Sequence, residues 1–300
     1  MPAHNAAAPF ALLTTLVASP VCMRGPEHHA LMRGLWQQHS SPEVWASSRA
    51  ALRNHSHIVA AAPGQASVLP WEEPQYFIEG GIAYLTLSGP MIKGYDDFTA
   101  WAYDCCSIDR VSRTLVEIEG RAQTSQIRAL VLLINSPGGS AMGTPELGAQ
   151  IDALDQRLPV YAYTSDLACS AAYWVMASAR LVFATPSAMV GSIGTYLAMY
   201  DYSEMLKEWG IKLELFRAGS LKGIGIPGKP FTDDERTFLN ERVQRINSRF
   251  TGHVRSMRGE VADSTMQGQW FDGDEALDLN LVDAVVSGLP ELVAAVQSEL

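Results

Sequence analysis

"ALVLLINSPGG" (residues 129–139) is the stretch on which the fold turns. An apolar run without a polar break is closed by a proline and two glycines. A strand with one wet face alternates apolar and polar residues, whereas a continuous short run belongs to a strand covered on both faces of a sheet. Such strands are typically parallel and need crossover helices, so helical patterns are expected on either side.

They are present. Upstream, "SIDRVSRTLVEIEG" (107–120) puts Ile108, Val111, Leu115 and Ile118 on one helical face. Downstream, Thr144-Pro145 offers an N-cap and a first-turn proline, and Leu147, Ile151 and Leu154 form a stripe. Further strands are predicted in "IAYLTLSG" (82–89), "PVYAYT" (159–164), "LVFAT" (181–185) and "IKLELFR" (211–217). Helices are predicted in "SAAYWVMASA" (170–179) and around "SEMLKEWG" (203–210). "TDDE" (232–235) has the spacing of a capping box and opens a long helix with Leu239, Val243, Ile246, Phe250 and Met257 inward. Strands alternating with helices imply an α/β fold with largely parallel strands.

Composition narrows the function. With 47% hydrophobic residues the chain has enough to bury a real core, and global disorder is not expected. A formal charge of -10 argues against a nucleic-acid surface. Arg242, Arg245 and Arg249 lie at helical spacing and read as a solvated helix face. The four cysteines, Cys22, Cys105, Cys106 and Cys169, show no C-x-x-C spacing, which fits a reduced, cytoplasmic setting. The early apolar run "FALLTTLVASPVC" (10–22) lacks a basic leader, is broken by threonines and Pro20, and is too short to span a bilayer. No stable membrane anchor is expected. Residues 1–75 hold six of the seven histidines and the linker-like "AAAPGQASVLPWEEP" (60–74), so they read as a small, partly helical N-terminal extension. The main domain is expected over 76–288, with a C-terminal tail over 289–300.

In a parallel sheet, ligands gather at the carboxyl ends of the strands. Two loops fall there. In "INSPGG" (134–139), Gly138 and Gly139 let the backbone approach a ligand and aim its N–H groups outward, although a lone Pro-Gly-Gly is also a plain turn. In "DLACSAAYW" (166–174), Ser170 sits where a helix begins, beside the unsatisfied N–H of Ala171. Taken alone, Ser170 is simply a helix cap. Taken with the glycine loop, it is a nucleophile beside donors able to hold an oxyanion. A serine nucleophile needs a base, and the only histidine after Tyr76 is His253, within the long helix and with no acidic neighbour, which reads as a surface or core-edge residue. Lysine is the remaining candidate. Lys222, in the glycine-rich "RAGSLKGIGIPGKP" (217–230), has few competing charges, and Lys229 is the next base to test. A lysine base near neutral pH must lose its proton ~2–3 units below the ordinary ~10.4, which an apolar site imposes. Composition alone also allows an ordinary loop lysine.

"LLINSPGGSAMG" (132–143), "ACSAAYWVMASARLVFATPSAMVGSIG" (168–194), "FRAGSLKGIG" (216–225) and "FDGDEALDLNLVDAV" (271–285) together resemble the signal peptide peptidase A family of serine peptidases, closest to its bacteriophage prohead, or capsid-maturation, protease branch. "TTLVASPVCMRGPEHHALMRGL" (14–35) is similar to the segment that precedes the phage-type domain. The resemblance implies a Clp/crotonase-like fold, a layered β-β-α spiral. It implies a Ser–Lys dyad with Ser170 as nucleophile and Lys222 as general base, and an oxyanion hole from Gly139, with Gly138, and Ala171. It implies no metal and no organic cofactor. It implies a homo-oligomer that shares the dyad between subunits, and protein or peptide substrates such as capsid scaffold, coat or portal proteins. For a phage-encoded chain the site of action would be the host cytosol, at the procapsid. Two alternatives stand beside this: a bacterial signal-peptide-degrading peptidase, and a non-catalytic capsid assembly subunit that kept the fold. Ala171 and Ala172 depart from the glycines that many bacterial members carry after the serine.

Overall fold

The computed structural model describes residues 21–23, 75–124 and 126–300. The rest of the expected N-terminal extension, including the linker over 60–74, lies outside the described residues.

The deciding stretch is a strand, β6 (Ala129–Asn135), near the middle of a six-stranded sheet. Its partners are β3 (Ile82–Ser88) and β8 (Val160–Thr164), both parallel to it. The sheet continues through β10 (Leu181–Ala184) to β13 (Ala284–Val285), again parallel, and ends on the other side at β2 (Tyr76–Glu79), which is antiparallel to β3. Both faces of β6 are covered, as the unbroken apolar run requires. Leu130, Leu132 and Ile134 enter the larger core. Ala129 and Val131 enter a second core with Tyr84, Tyr161 and Phe183. The second face is closed by Leu292 and Val296 of the helix Leu289–Glu299, so the expected tail contributes to the core.

Four of the six large-sheet strands, β3, β6, β8 and β10, are each followed by a short strand that leaves the sheet. After β3 comes β4 (Met91–Ile92), and after β6 comes β7 (Gly138–Ser140); both join β5 (Cys106–Ser107) and β1 (Val21–Met23) in a four-stranded sheet. After β8 comes β9 (Leu167–Cys169), and after β10 comes β11 (Met189–Gly191); both join β12 (Trp270–Phe271). Helices close the repeats: α1 (Asp97–Ala102), α2 (Ile108–Ala122), α3 (Thr144–Asp155) and α4 (Ala171–Ala177). The result is the layered β-β-α spiral. A bridge between Ser136 and Ala168 ties the two small sheets together beside the two loops of interest.

The predicted stripe of α2 is buried, with Ile108, Val111, Leu115 and Ile118 all inside, and Ser107 caps it by accepting from the Arg110 N–H. α3 starts one residue earlier than its sequence signal. Gly143, at a φ of 84°, holds the cap position, and Thr144 instead donates its hydroxyl to the Ser140 carbonyl at 2.7 Å. Beyond β11 lie α5 (Ser203–Glu208), α6 (Asp233–Arg258), α7 (Gly273–Asp278) and the C-terminal α8 (Leu289–Glu299). The capping box of α6 is present, with Thr232 and Glu235 satisfying each other's N–H groups. Of its predicted inward face, Phe250 is fully buried and Leu239, Val243, Ile246 and Met257 only partly so. The predicted strand over 211–217 forms no ladder: these residues find no edge to pair with among the described residues.

Candidate active site

Ser170 stands between β9 and α4 with φ 56° and ψ −123°, a backbone state that side chains other than glycine's rarely adopt. Such a residue costs on the order of 1–3 kcal/mol, and it persists only where its surroundings impose it. Here they do. The Ser170 N–H donates to the Gly191 carbonyl at 2.8 Å, and its carbonyl accepts from the Trp174 N–H at 3.0 Å. Ala168, Cys169, Ala171 and Ala172 are all buried around it, small enough for the sharp strand-to-helix turn.

The hydroxyl decides between cap and nucleophile. Ser170 is at the N-cap position of α4, yet its side chain makes no capping bond. The residue is only 1% exposed and its Oγ has no hydrogen-bond partner among the described residues. A buried hydroxyl without a partner costs about 1–3 kcal/mol. A capping role is therefore excluded.

The glycine loop lies alongside. Ser136 donates its N–H to the Leu167 carbonyl at 2.7 Å and accepts from the Cys169 N–H at 3.1 Å, which clamps the start of that loop to the strand entering Ser170. The Ser136 hydroxyl donates to the Gly89 carbonyl at 2.7 Å and accepts the Gly138 N–H at 3.2 Å. Gly138 thus spends its donor on shaping the loop. Gly139 packs so tightly on β4 that a Cβ there would lie 2.0 Å from the Met91 carbonyl oxygen. Ala171 opens α4, where helical N–H groups lack intrahelical partners.

Lys222 is not hydrogen-bonded to Ser170 within the chain, and it is exposed. Its carbonyl accepts from Arg217 Nη1 at 3.2 Å, and the same nitrogen reaches Glu235 Oε1 at 3.4 Å. Glu235, 1% exposed, also pairs with Lys229. The Lys229 hydrogen bond, followed by the Thr232 N–H and the Arg217 guanidinium, holds the Glu235 carboxyl below its ordinary pKa. Lys229 is thereby occupied in a structural ion pair. His253 is a core-edge residue: it stacks on Trp174 at 5.0 Å, and Nε2 lies 3.0 Å from Ser178 Oγ and 3.1 Å from the Trp174 carbonyl. Burial pushes its pKa down.

Two residues escaped the sequence reading. Glu235 was visible only as the third helical position of a capping box, because its ion pairs depend on Arg217 and Lys229 folding back onto it. Ser192, buried with a φ of 51°, follows the Gly191 whose carbonyl accepts the Ser170 N–H. Its signal was a serine between glycines after a strand.

Residues 152–298 match the family model of Peptidase family S49. The chain is a relative of peptidase family S49. The match takes in the Ser170 turn, the Lys222 loop and the closing segment. Protein MJ0651 of Methanocaldococcus jannaschii is 30% identical over 162 residues, 53% of this chain and 52% of that protein. The capsid assembly protease C of Escherichia phage lambda is 24% identical over 220 residues, 73% of this chain and 49% of that protein. The chain thus spans about half the length of these curated relatives. The chloroplastic serine protease SPPA of Arabidopsis thaliana is 26% identical over 189 residues, 61% of this chain and 28% of that protein. Among solved structures, the ClpP protease catalytic domain from Plasmodium falciparum is similar at a TM-score of 0.41 and 12% identity, over 68% of this chain and 85% of that chain. An SPPA-named serine protease and a phage capsid assembly protease thus both occur among the relatives. No helix among the described residues is long and apolar enough to cross a membrane.

Proposed function

We propose that the chain is a serine endopeptidase in which Ser170 attacks the peptide carbonyl and Lys222 is the base. The observation that carries this reading is the Ser170 hydroxyl, buried, unpartnered and held by a strained turn at the start of α4. Lys222, as the neutral amine, takes the hydroxyl proton while Oγ bonds to the carbonyl carbon. The oxyanion is received by the N–H groups of Gly139 and Ala171, with Gly138 shaping the loop; losing one such donor typically costs ~10²–10³ in rate. Lys222 then gives the proton to the departing amine, and water hydrolyses the acyl-serine by the same path.

The base is completed by a second copy of the chain. Lys222 belongs to an arm, residues 199–231, whose side chains find little cover within the chain: Trp209 is 67% exposed and Phe216 is 90% exposed, with Tyr200, Ile211 and Leu213 beside them. An apolar surface of this kind is normally covered by a partner. Residues 211–217, which alternate like a strand yet form no ladder, could pair with an edge on that partner, and the contact would strip water from Lys222 as a lysine base requires. A homo-oligomer with a shared Ser170–Lys222 dyad follows.

The substrate class is narrower. The phage lambda relative, named a capsid assembly protease, covers the largest share of this chain among the three relatives described, which favours cleavage of capsid scaffold, coat or portal proteins at the procapsid in a host cytosol. Degradation of signal peptides is the second reading, favoured by the SPPA relative. A non-catalytic assembly subunit is the third, and the free Ser170 hydroxyl speaks against it. Hydrolysis of an unfolded protein by wild type, with none by Ser170→Ala, supports a peptidase. Equal hydrolysis by both, or by neither, contradicts it. Mapping of new termini after co-expression with capsid proteins separates the first reading from the second.

A further inference from the structure

The short strand Val21–Met23, unexplained by catalysis, has a defined place. Val21–Met23 pair antiparallel with Gly138–Ser140, in the register Val21 to Ser140, Cys22 to Gly139 and Met23 to Gly138. The other side of β7 is taken by β4, where Met91 pairs with Gly139. The edge that β1 covers is therefore the one edge of the glycine strand left for anything else. It is also the edge next to the nucleophile, because β7 follows Ser136, and Ser136 is bridged to Ala168, two residues before Ser170.

We infer that this edge is the cradle for the backbone of an extended peptide, and that the chain's own Val21–Met23 occupies it as a substrate-like strand. The inference rests on the peptidase reading above. Adding a strand to an exposed sheet edge is a general mode of peptide recognition, with main-chain hydrogen bonds giving affinity whatever the side chains. Gly138 and Gly139 suit the task, since with no Cβ they let a second backbone come close to the donors that would hold the oxyanion. The register runs such a peptide antiparallel to β7, passing Ser140 first and reaching Gly138 last. A second observation agrees. Ser170 is 1% exposed with its Oγ unpartnered, and Gly138, Gly139 and Ser140 are buried too. Nucleophile and glycine strand are thus shut from solvent together.

A tethered strand competes at high effective concentration, and the apparent affinity for a substrate falls by the fraction of time the cleft is free. Substrate must displace β1, so its removal lowers KM and leaves kcat nearly unchanged. The test uses the full-length chain. Neighbouring residues in an antiparallel pair alternate in bonding the partner strand, so of Val21→Pro and Cys22→Pro at least one removes a ladder donor. The expected result is a KM for an unstructured peptide at least about threefold lower in that variant, with kcat retained. A synthetic peptide of residues 17–26 should inhibit that variant competitively, and inhibit wild type less. An unchanged KM in both variants overturns the inference. So does a drop in Tm with loss of activity and no inhibition by the peptide, which would make β1 an ordinary structural strand. If the wild type and both variants hydrolyse nothing, while each keeps its fold and its oligomeric state, the peptidase reading fails, and this inference with it. Activity with unaltered KM fails the inference alone.

Discussion

The Ser170 N–H donates to the Gly191 carbonyl at 2.8 Å, and that bond helps hold Ser170 at a φ of 56° while its hydroxyl has no partner. Strain and an unpaired buried hydroxyl are both costs to folding. They meet at one residue, next to a glycine strand. This is the combination expected where stability is given up for reactivity.

Ser170→Gly is accordingly expected to stabilise the protein while abolishing hydrolysis. Glycine relieves the strained backbone and removes the unpaired hydroxyl, a gain on the order of 1–3 kcal/mol. Ser170→Ala keeps the strain but loses the orphan hydroxyl, so it should be inactive and at least as stable as wild type. Denaturant unfolding beside a peptide-cleavage assay checks both.

Lys222→Ala should abolish hydrolysis with the fold intact, since Lys222 is exposed and its hydrogen bonds to Gly219 and Arg217 run through its backbone N–H and carbonyl. Mixing Ser170→Ala with Lys222→Ala under conditions that exchange subunits should restore partial activity, because a mixed interface can pair an intact serine with an intact lysine. No recovery in well-exchanged oligomers contradicts a shared dyad.

Glu235→Ala should reduce kcat strongly, by about tenfold or more, because it frees Arg217 and Lys229 and so loosens the segment that carries Lys222. Glu235→Gln keeps the shape and part of the hydrogen bonding, and should retain more activity than the alanine variant. Steady-state kinetics on both variants, with Tm measured alongside, checks the order.

His253 gives the fold a pH dependence of definite sign. Burial lowers its pKa, so the folded state favours the neutral ring. The contribution is fully present above the unfolded value of ~6.5 and is lost as pH falls through the lower folded value. Stability should therefore decline as pH drops below about 6.5, and less steeply in His253→Gln. Urea midpoints across pH 7 to 5 in steps of about half a unit measure it.

Much of the fold was legible because it rests on local patterns. The unbroken apolar run of β6, the stripe of α2 and the capping box of α6 each report their own burial. The second closed face was not legible, since Leu292 and Val296 cover the sheet from over 150 residues away along the chain. The missing ladder over 211–217 has a similar cause: alternation describes a segment fit for a sheet, and does not say which chain provides the partner. At the site, Ser170 and the glycine loop could be named from sequence because each follows a strand. What removed the capping reading of Ser170 was the absence of a capping bond, a fact of geometry. Lys229 was an open alternative as base until its pairing with Glu235 became visible.

The central claim is that Ser170 forms the covalent intermediate. The most direct measurement is the intact mass of the protein after acid quench during turnover of a peptide ester. The account predicts an increment equal to the acyl group, mapped to the peptide containing Ser170 and absent from Ser170→Ala. Continued turnover by Ser170→Ala, or an adduct on another residue, would contradict it.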